Sequence, residues 1–149
     1  MLKILSAGYF DPLTGSHISH LKGARALGGP FDELWVITHP DEVVVRKKGF
    51  FLLHVEHRVM CLQEYPFVNK VAVDTLDTDG TVAKAILTLE PDIFAKGKDR
   101  NPSNMPKNEL EACEKVGCKI VYGIGDELGH STQFFLNAVE MYLAHRGAK

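Results

Sequence analysis

The sequence predicts an α/β protein, a doubly wound parallel sheet of about five strands with helices on both faces, in three layers (α/β/α). Two observations predict this fold and the number of domains. Short apolar runs alternate along the chain with amphipathic stretches of ~10–15 residues, which is the pattern of repeated strand–helix–strand units. The 149 residues contain no internal repeat, low-complexity segment or Ser/Gly linker. We therefore expect residues 1–149 to form a single domain.

The predicted strands and helices follow each other in strict alternation. The strands are apolar runs, and the helices place apolar residues at helical spacing on one face. In chain order the predicted strands are "LKILSA" (2–7), "DELWVITH" (32–39), "KVAVDT" (70–75), "PDIFAKG" (91–97) and "CKIVYGIG" (118–125), and the predicted helices cover 17–28, 55–65, 80–90, 106–117 and 131–146.

Proline, glycine and hydroxyl residues mark the helix ends. "Gly-Gly-Pro" at 28–30 stops the first helix, and a proline directly follows the second. Pro106 lies near the first turn of the fourth helix, and Gly117 ends it. Ser131 or Thr132 is available to cap the last helix.

Charge and cysteine content narrow the functional class. A net charge of -2 argues against bulk binding of nucleic acid, which requires a basic surface. The three cysteines form no CxxC pair, which favours free thiols in a reducing compartment. The N-terminus has too short an apolar run for a signal peptide, and no run approaches the ~20 residues of a membrane span. We expect a cytoplasmic enzyme or binding domain with no nucleic-acid or membrane partner.

Four loops are expected to converge at the carboxyl edge of the sheet, where open α/β sheets bind ligands. They are the loop from Gly8 to His17, the loop that begins at His39 and continues into the basic run "VVVRKK", "KGKDR" (96–100) and "GDELGHST" (125–132). Three of these loops are rich in residues that bind anions.

The first of these loops predicts an anion site. Gly8 and the Asp11-Pro12 turn let the chain leave the strand sharply. The free N–H groups of the following helix then face the ligand edge. His17 and His20 are three residues apart, so both would point at the same anion. The alternative is a helix cap with two surface histidines. No third ligand lies in an obvious register, so we expect no protein metal site.

Four motifs, in order over residues 4–136, resemble those of the cytidylyltransferase-like nucleotidyltransferases: "GYFDPLTGSHISHL", "VEHRVMCLQEYPFVNKV", "PDIFAKGKDR" and "ELGHSTQFF". The resemblance implies a Rossmann-like fold. It also implies a reaction, in which a phosphate oxygen of an acceptor attacks the α-phosphate of a nucleoside triphosphate and releases pyrophosphate. Members of this family need no covalent enzyme intermediate, so positioning and charge stabilisation are the protein's contribution.

The resemblance also implies the ligands. "AKGKDR" is similar to the segment of heptose-phosphate adenylyltransferases, and the threonine of "LTGSH" matches pantetheine-phosphate adenylyltransferases, which favours ATP over CTP. The acceptor is expected to be a small phosphorylated sugar or polyol. Mg²⁺ would be held mainly by the triphosphate. The alternatives are a cytidylyltransferase that uses CTP on a polyol phosphate or phosphonate, and a nucleotide-binding module without activity. A domain that binds no nucleotide is the third hypothesis.

Site residues follow from the matching motif positions, each with a structural alternative. Arg58 is otherwise an ion-pair residue, Asp11 a turn residue, the basic run a solvated loop, and Ser131 and Thr132 helix caps. The implied catalytic residues are His17, His20 and Lys47 or Lys48. The implied nucleotide-binding residues are Gly8, Tyr9, Phe10, Asp11, Thr14, Lys96, Gly97, Asp99, Arg100, Ser131 and Thr132, and the implied substrate-binding residues are Arg58, Lys98 and His130.

The sequence also departs from the family pattern. Tyr9 stands where the family has a small Ser or Thr, and Ser16 replaces the glycine before His17. Asp126 or Glu127 stands where glycerol-3-phosphate cytidylyltransferases carry an arginine. These departures favour an altered or lost activity over plain glycerol-3-phosphate cytidylyl transfer. The apolar segments "GFFLL" and "QFFL" are interpreted as homodimer contacts, as core or, for the first, as a lid.

Overall fold

One parallel sheet of five strands organises the computed structural model, which describes residues 1–147. The strand order is β3-β2-β1-β4-β5, and every neighbouring pair is parallel. The chain therefore winds outward on both sides of β1, and the doubly wound Rossmann-like prediction is confirmed. The strands are β1 (Lys3–Ala7), β2 (Glu33–Thr38), β3 (Lys70–Val73), β4 (Ile93–Ala95) and β5 (Lys119–Val121).

Within residues 1–147, six helices connect and follow the strands. They are α1 (Gly15–Arg25), α2 (Asp41–Lys48), α3 (Val55–Gln63), α4 (Ala83–Leu89), α5 (Lys107–Val116) and α6 (Ser131–Gly147). No helix within the described residues is long and apolar enough to cross a bilayer.

The helix α2 corrects the sequence prediction, which treated the basic run as a loop. Asp41 and Glu42 occupy its first turn, and three basic residues occupy its last turn. The charges at both ends therefore interact favourably with the helix dipole. Gly49, at φ 86°, ends it in the left-handed region. The basic residues therefore lie on a fixed helix.

Two predicted strands end earlier than expected. Strand β4 stops at Ala95 and β5 stops at Val121. After β5, Gly123 and Gly125 have φ of 73° and 89°, values that break an extended strand. The residues that leave the sheet form walls of the cavity described below. Helix α6 begins at Ser131, and Phe134 N donates to the His130 carbonyl. His130 therefore occupies the position directly before the helix, where the sequence predicted Ser131 or Thr132.

Alternate side chains of the strands fill two apolar layers. On one face Leu5, Ile37 and Phe94 pack with α4 and α5. On the other face Ile4 and Leu34, among others, pack with α1 and α3. Because successive strand residues point to opposite faces, both layers come from the same short strands. The sheet thus holds its carboxyl edge rigidly between two cores.

The guanidinium of Arg58 is the largest fully buried polar group, with 0% exposure. It donates to the carbonyls of Leu53, Tyr9 and His39, to Thr38 Oγ1 and to Asp41 Oδ1, all at 2.8–3.0 Å. The structure therefore places Arg58 in the interior and not among substrate-binding groups. Arg58 instead forms a structural ion pair with Asp41, which was the alternative role proposed from the sequence.

We expect Arg58→Ala to lower the free energy of unfolding by about 3–5 kcal/mol, because it leaves a partly buried carboxylate and several carbonyls without their partner. Urea denaturation at pH 7 measures the loss. Arg146→Ala, on the exposed end of α6, is the control and should change stability by less than about 0.5 kcal/mol. A loss below about 1 kcal/mol in the Arg58 variant would contradict the structural role.

Candidate active site

A cavity of about 370 Å³ opens at the carboxyl edge of the sheet. Loops after β1, β2, β4 and β5 all contribute to its wall, as does the start of α4. Of the residues implied by the sequence motifs, the wall contains Gly8, Tyr9, Phe10, His17, His20, Lys96, Gly97, Lys98, Asp99, Arg100, His130 and Ser131. Asp11, Thr14, Lys47, Lys48, Arg58 and Thr132 are not part of it.

The turn after β1 is held by buried contacts. Phe10 has φ 52°, an unusual value for a bulky residue, and is 2% exposed. Asp11 is 1% exposed and accepts hydrogen bonds from Leu52 N at 2.8 Å and Leu53 N at 2.7 Å. Asp11 therefore anchors the segment after α2 to this turn and does not face the cavity, which matches its alternative role as a turn residue.

Local hydrogen bonding defines the tautomer of His17. Thr14 N donates to His17 Nδ1 at 3.0 Å, in a capping box at the start of α1. An N–H group cannot accept, so Nδ1 is unprotonated and the neutral ring carries its proton on Nε2. His17 lines the cavity, and its Nε2–H has no partner within residues 1–147. Thr14 is thus a positioning residue for His17.

Burial keeps His17 neutral. It is the largest of the causes that together lower the pKa of His17 to about 4, and a positive charge on Lys48, His20 or His130 acts in the same direction. At neutral pH the side chain is therefore an uncharged hydrogen-bond donor beside the free N–H groups of α1. This arrangement suits a phosphate oxygen.

Both ring nitrogens of His20 already have protein partners. Nδ1 donates to the Ile124 carbonyl at 2.9 Å, and Ser6 Oγ bonds Nε2 at 2.8 Å. Because the carbonyl can only accept, Nδ1 carries the proton and the serine hydroxyl donates to Nε2. Burial also lowers the pKa of His20. The structure thus leaves a free imidazole donor on His17 and uses His20 to join β1 to the loop after β5.

The loop between β5 and α6 lies directly on α1. A Cβ on Gly125 would lie 2.6 Å from His20 N, so this close approach requires glycine. Ser16 Oγ donates to the Gly129 carbonyl at 3.0 Å and accepts from Leu128 N at 2.6 Å. The serine that departs from the family pattern therefore fastens this loop to the helix N-terminus.

Three of the predicted lysines lie at the cavity, one in its wall and two on helix α2. Lys96 lines the cavity next to the Phe94 ring, 4.6 Å from its centroid, and burial lowers its pKa. Lys47 packs on Gly80 at the cavity wall, where an added Cβ would meet its Cε at 2.6 Å. Lys48 lies over Phe50 at 5.2 Å. Helix α2 thus holds both lysines just outside the cavity.

The apolar segments "GFFLL" and "QFFL" contact each other. Phe50 stacks on Phe135 with ring centroids 4.6 Å apart and planes at 29°. This contact places the segment after α2 against α6. It agrees with a packing role for these two rings and leaves Phe134 and Leu136 46% and 47% exposed.

Several wall residues were not predicted as site residues. They include His39, Gly80, Val82 and Glu109. His39 follows β2 directly, and that position at the sheet edge was the available signal. Glu109 lies inside the first turn of α5, where nothing in the sequence distinguishes it from a solvated glutamate.

Acidic residues also line the cavity near α1. Asp126 pairs with Lys98 at 3.5 Å, and its backbone N–H donates to Ser19 Oγ at 2.9 Å. A separate trio, Asp41, His54 and Glu56, has side chains close enough to share one ion. That trio lies outside the cavity, and Asp41 is already bonded to Arg58 and His54.

Comparisons with known proteins agree with this geometry. A family model described as Cytidylyltransferase-like matches residues 5–132, which confirms the resemblance of the four motifs. The FAD synthase of Aciduliprofundum boonei is 28% identical over 120 residues, 80% of this chain and 75% of that protein. The FAD synthase of Thermococcus kodakarensis is 34% identical over 101 residues, 66% of this chain and 64% of that protein.

Two further matches extend the comparison. The bifunctional protein HldE of Haemophilus influenzae is 34% identical over 104 residues, 68% of this chain but 21% of that protein. The chain therefore spans about a fifth of HldE. The crystal structure of a lipopolysaccharide core biosynthesis protein from Thermoplasma volcanium superposes with a TM-score of 0.67 at 26% identity, covering 85% of this chain and 99% of that one.

We expect His17 to titrate far below an ordinary histidine, because its pKa is lowered to about 4 from about 6.5. As pH falls, His17 is protonated at a higher pH in the unfolded chain than in the folded protein. The stabilisation that neutral His17 contributes is therefore complete above pH ~6.5 and is lost as pH falls toward ~4. An NMR titration of the imidazole measures the midpoint, with His17→Asn to assign the signal. A midpoint at or above pH ~6 would contradict burial as the cause.

Proposed function

The chain belongs to the cytidylyltransferase-like family of nucleotidyltransferases, and we propose that it transfers AMP from ATP to a small phosphorylated sugar or polyol. One observation carries this proposal: the neutral donor His17 lines the cavity at the N-terminus of α1. The relatives named FAD synthase support ATP as the nucleotide, since flavin adenine dinucleotide contains an adenylyl group.

The proposed reaction is a direct displacement. A phosphate oxygen of the acceptor forms a bond to the α-phosphorus, the bond to the bridging oxygen breaks, and pyrophosphate leaves with that electron pair. Negative charge grows on the non-bridging oxygens and on the leaving group. His17 Nε2–H and the first N–H groups of α1 donate to those oxygens without giving up a proton.

Fixed cations would share the remaining charge. Lys96 is already desolvated beside the cavity, where its electrostatic effect exceeds that of a solvated lysine. The positive charge of Lys48 is near enough to lower the pKa of His17, so it would attract a phosphate bound there from just outside the cavity. Positioning by these groups accounts for catalysis, because this mechanism needs no activated protein nucleophile.

We propose Mg²⁺ as the cofactor, held mainly by triphosphate oxygens. The donor set fits, because the cavity wall offers the carboxylates of Asp99, Asp126 and Glu127, and oxygen ligands suit this ion. Mg²⁺ would supply neutralisation of the phosphate charge. Lys98 pairs with Asp126, so Asp99, Glu109 and Glu127 are the wall carboxylates without an ion pair among the described residues.

Two alternatives to AMP transfer from ATP are each supported by a specific observation. Cytidylyl transfer from CTP remains the second candidate, because the family description itself is Cytidylyltransferase-like. A module that binds nucleotide without turnover is favoured by the acidic Asp126 and Glu127 in the wall, where positive charge would help hold a triphosphate.

We also propose that the chain acts as one catalytic domain in the cytoplasm and forms a homodimer. The free cysteines Cys61, Cys113 and Cys118 suit a reducing compartment. Helix α6 supports the dimer, because Met141, Tyr142 and Leu143 are each at least 60% exposed.

We expect pyrophosphate release with Mg²⁺ and ATP, above that with CTP, for at least one acceptor in a panel of sugar phosphates, polyol phosphates and phosphonates. His17→Asn should lower the rate by about 10²-fold or more, since it removes the donor while its amide oxygen still accepts from Thr14 N. His57→Asn, on the exposed face of α3, is the control and should keep the full rate. Near-normal turnover of the His17 variant would sink its proposed role, and a preference for CTP would favour the second candidate.

A further inference from the structure

Two buried cysteines lie on either side of the turn that ends α5. Cys113 is in the last turn of this helix, and Cys118 directly precedes β5. They are 2% and 8% exposed, and both belong to the apolar layer that packs with α4 and α5. Neither takes part in the proposed reaction. Two thiols that are neighbours can form a bond with each other, so the geometry of this pair decides what it can do.

The backbone of the turn places the two residues side by side. Gly117, at φ 71°, leaves the helix in the left-handed region. Cys118 N donates to the Cys113 carbonyl at 2.8 Å, and Gly117 N donates to the Glu114 carbonyl at 3.3 Å. These two bonds define a Schellman motif, in which the residues at its two ends pack their side chains together. Cys113 and Cys118 occupy those two positions.

The first of these hydrogen bonds also limits the distance between the two Cα atoms. With ordinary backbone dimensions, an N···O distance of 2.8 Å keeps the Cα atoms of Cys113 and Cys118 at most ~6.7 Å apart. Disulfides span Cα separations of ~4.4–6.8 Å. The turn therefore keeps this pair within reach of a disulfide bond. The third cysteine, Cys61, is exposed on α3, on the other face of the sheet.

The two thiols differ in acidity. A hydrogen bond between the side chains lowers the pKa of Cys113 and raises the pKa of Cys118. The positive charge of Lys96 also lowers the pKa of Cys113, while burial and the charge of Glu109 oppose that change. Cys113 is thus the thiol that more readily becomes a thiolate, and Cys118 is the neighbour that keeps its proton. A dithiol reacts in this way, with one sulfur that attacks and a second that resolves.

We propose that Cys113 and Cys118 form a redox-responsive dithiol, which closes to a disulfide in the presence of a hydroperoxide and reopens on reduction. The Cys113 thiolate attacks one peroxide oxygen, the O–O bond breaks, and the departing hydroxide takes up a proton to become water. The Cys118 sulfur then attacks the sulfur of the Cys113 sulfenic acid, the S–O bond breaks, and a second water leaves with the Cys118 proton. The two thiols lose two electrons and two protons, and the peroxide is reduced.

The position of the pair at the rim of the sheet gives a small oxidant access. Strand β5 has three residues and is the outermost strand of the sheet, paired with β4 alone. Short segments at an edge open locally at a lower free energy than the core does. Once Cys113 is oxidised, the second step needs no further access, because the two sulfurs are already neighbours.

The disulfide would join two elements that carry parts of the cavity wall. Glu109 belongs to α5, and Ile124 and Gly125 belong to the loop after β5. Closure would therefore tie these two parts of the wall together under oxidising conditions. The inference does not depend on the proposed function, since the formation of the bond is measured without nucleotide or acceptor.

The test is peptide mapping of the whole chain after mild oxidation. The reduced protein is treated with a small excess of hydrogen peroxide, its remaining thiols are blocked with iodoacetamide in urea, and it is digested with trypsin. Lys115 lies between the two cysteines, so trypsin separates them unless a disulfide connects the peptides. We expect peptides 108–115 and 116–119 to appear as one linked pair, with Cys61 alone alkylated. Dithiothreitol should restore three alkylated cysteines.

Matched variants assign the two sulfurs. Cys61→Ser removes the exposed thiol and should keep the linked pair. Cys118→Ser keeps a hydroxyl that can donate to the Cys113 sulfur but cannot form the bond, so it should abolish the linked pair and leave a sulfenic acid on Cys113 that dimedone labels. Thermal melting checks that both variants fold.

Three results would overturn the inference. The first is a wild type that keeps three alkylated cysteines after an exposure that fully oxidises free cysteine. The second is a main linked peptide that contains Cys61. The third is oxidation of Cys113 or Cys118 to sulfinic acid with no linked pair, which would show that the two sulfurs do not meet.

Discussion

The buried guanidinium of Arg58 is the constraint on which the geometry of the cavity depends. One planar group bonds the carbonyls of Tyr9 and His39, whose side chains both line the cavity. It also bonds Asp41 at the start of α2, the helix that carries the basic residues. A charge with 0% exposure is stable only when all its donors are used. The interior of the protein thus fixes the spacing between the turn after β1, the end of β2 and α2.

A second set of contacts fixes the opposite side of the cavity. Gly125 allows the loop after β5 to lie on the backbone of α1, and the Ser16 hydroxyl ties that loop to the helix N-terminus. His20 adds a bond from β1 to the same loop. The last two bonds occupy both ring nitrogens of His20, which the sequence motif assigns to the ligand. His17 keeps an open donor because its other nitrogen is satisfied locally by Thr14.

Sequence reasoning reached the sheet, most helices and the convergence of the four loops, because apolar periodicity and chain punctuation report them directly. It missed α2, since a run of cations carries little apolar periodicity and its stability comes from charges at its ends. It assigned Arg58 to substrate because a motif match does not distinguish a buried arginine from an exposed one. It missed Glu109 as a wall residue, because the position of this side chain depends on a bond to its Oε1 from Val82 N, 27 positions away.

The departure at Tyr9 gains a physical meaning from these contacts. A small hydroxyl residue at that position would leave open the space beside Gly80, where the Tyr9 hydroxyl now lies 3.0 Å from the position of an added Cβ. The tyrosine ring packs on His39 and fills that part of the wall. It therefore narrows the cavity beside Gly80 and His39. Replacing a small residue by tyrosine at this position thus changes the shape of the cavity without changing the contact between Thr14 and His17.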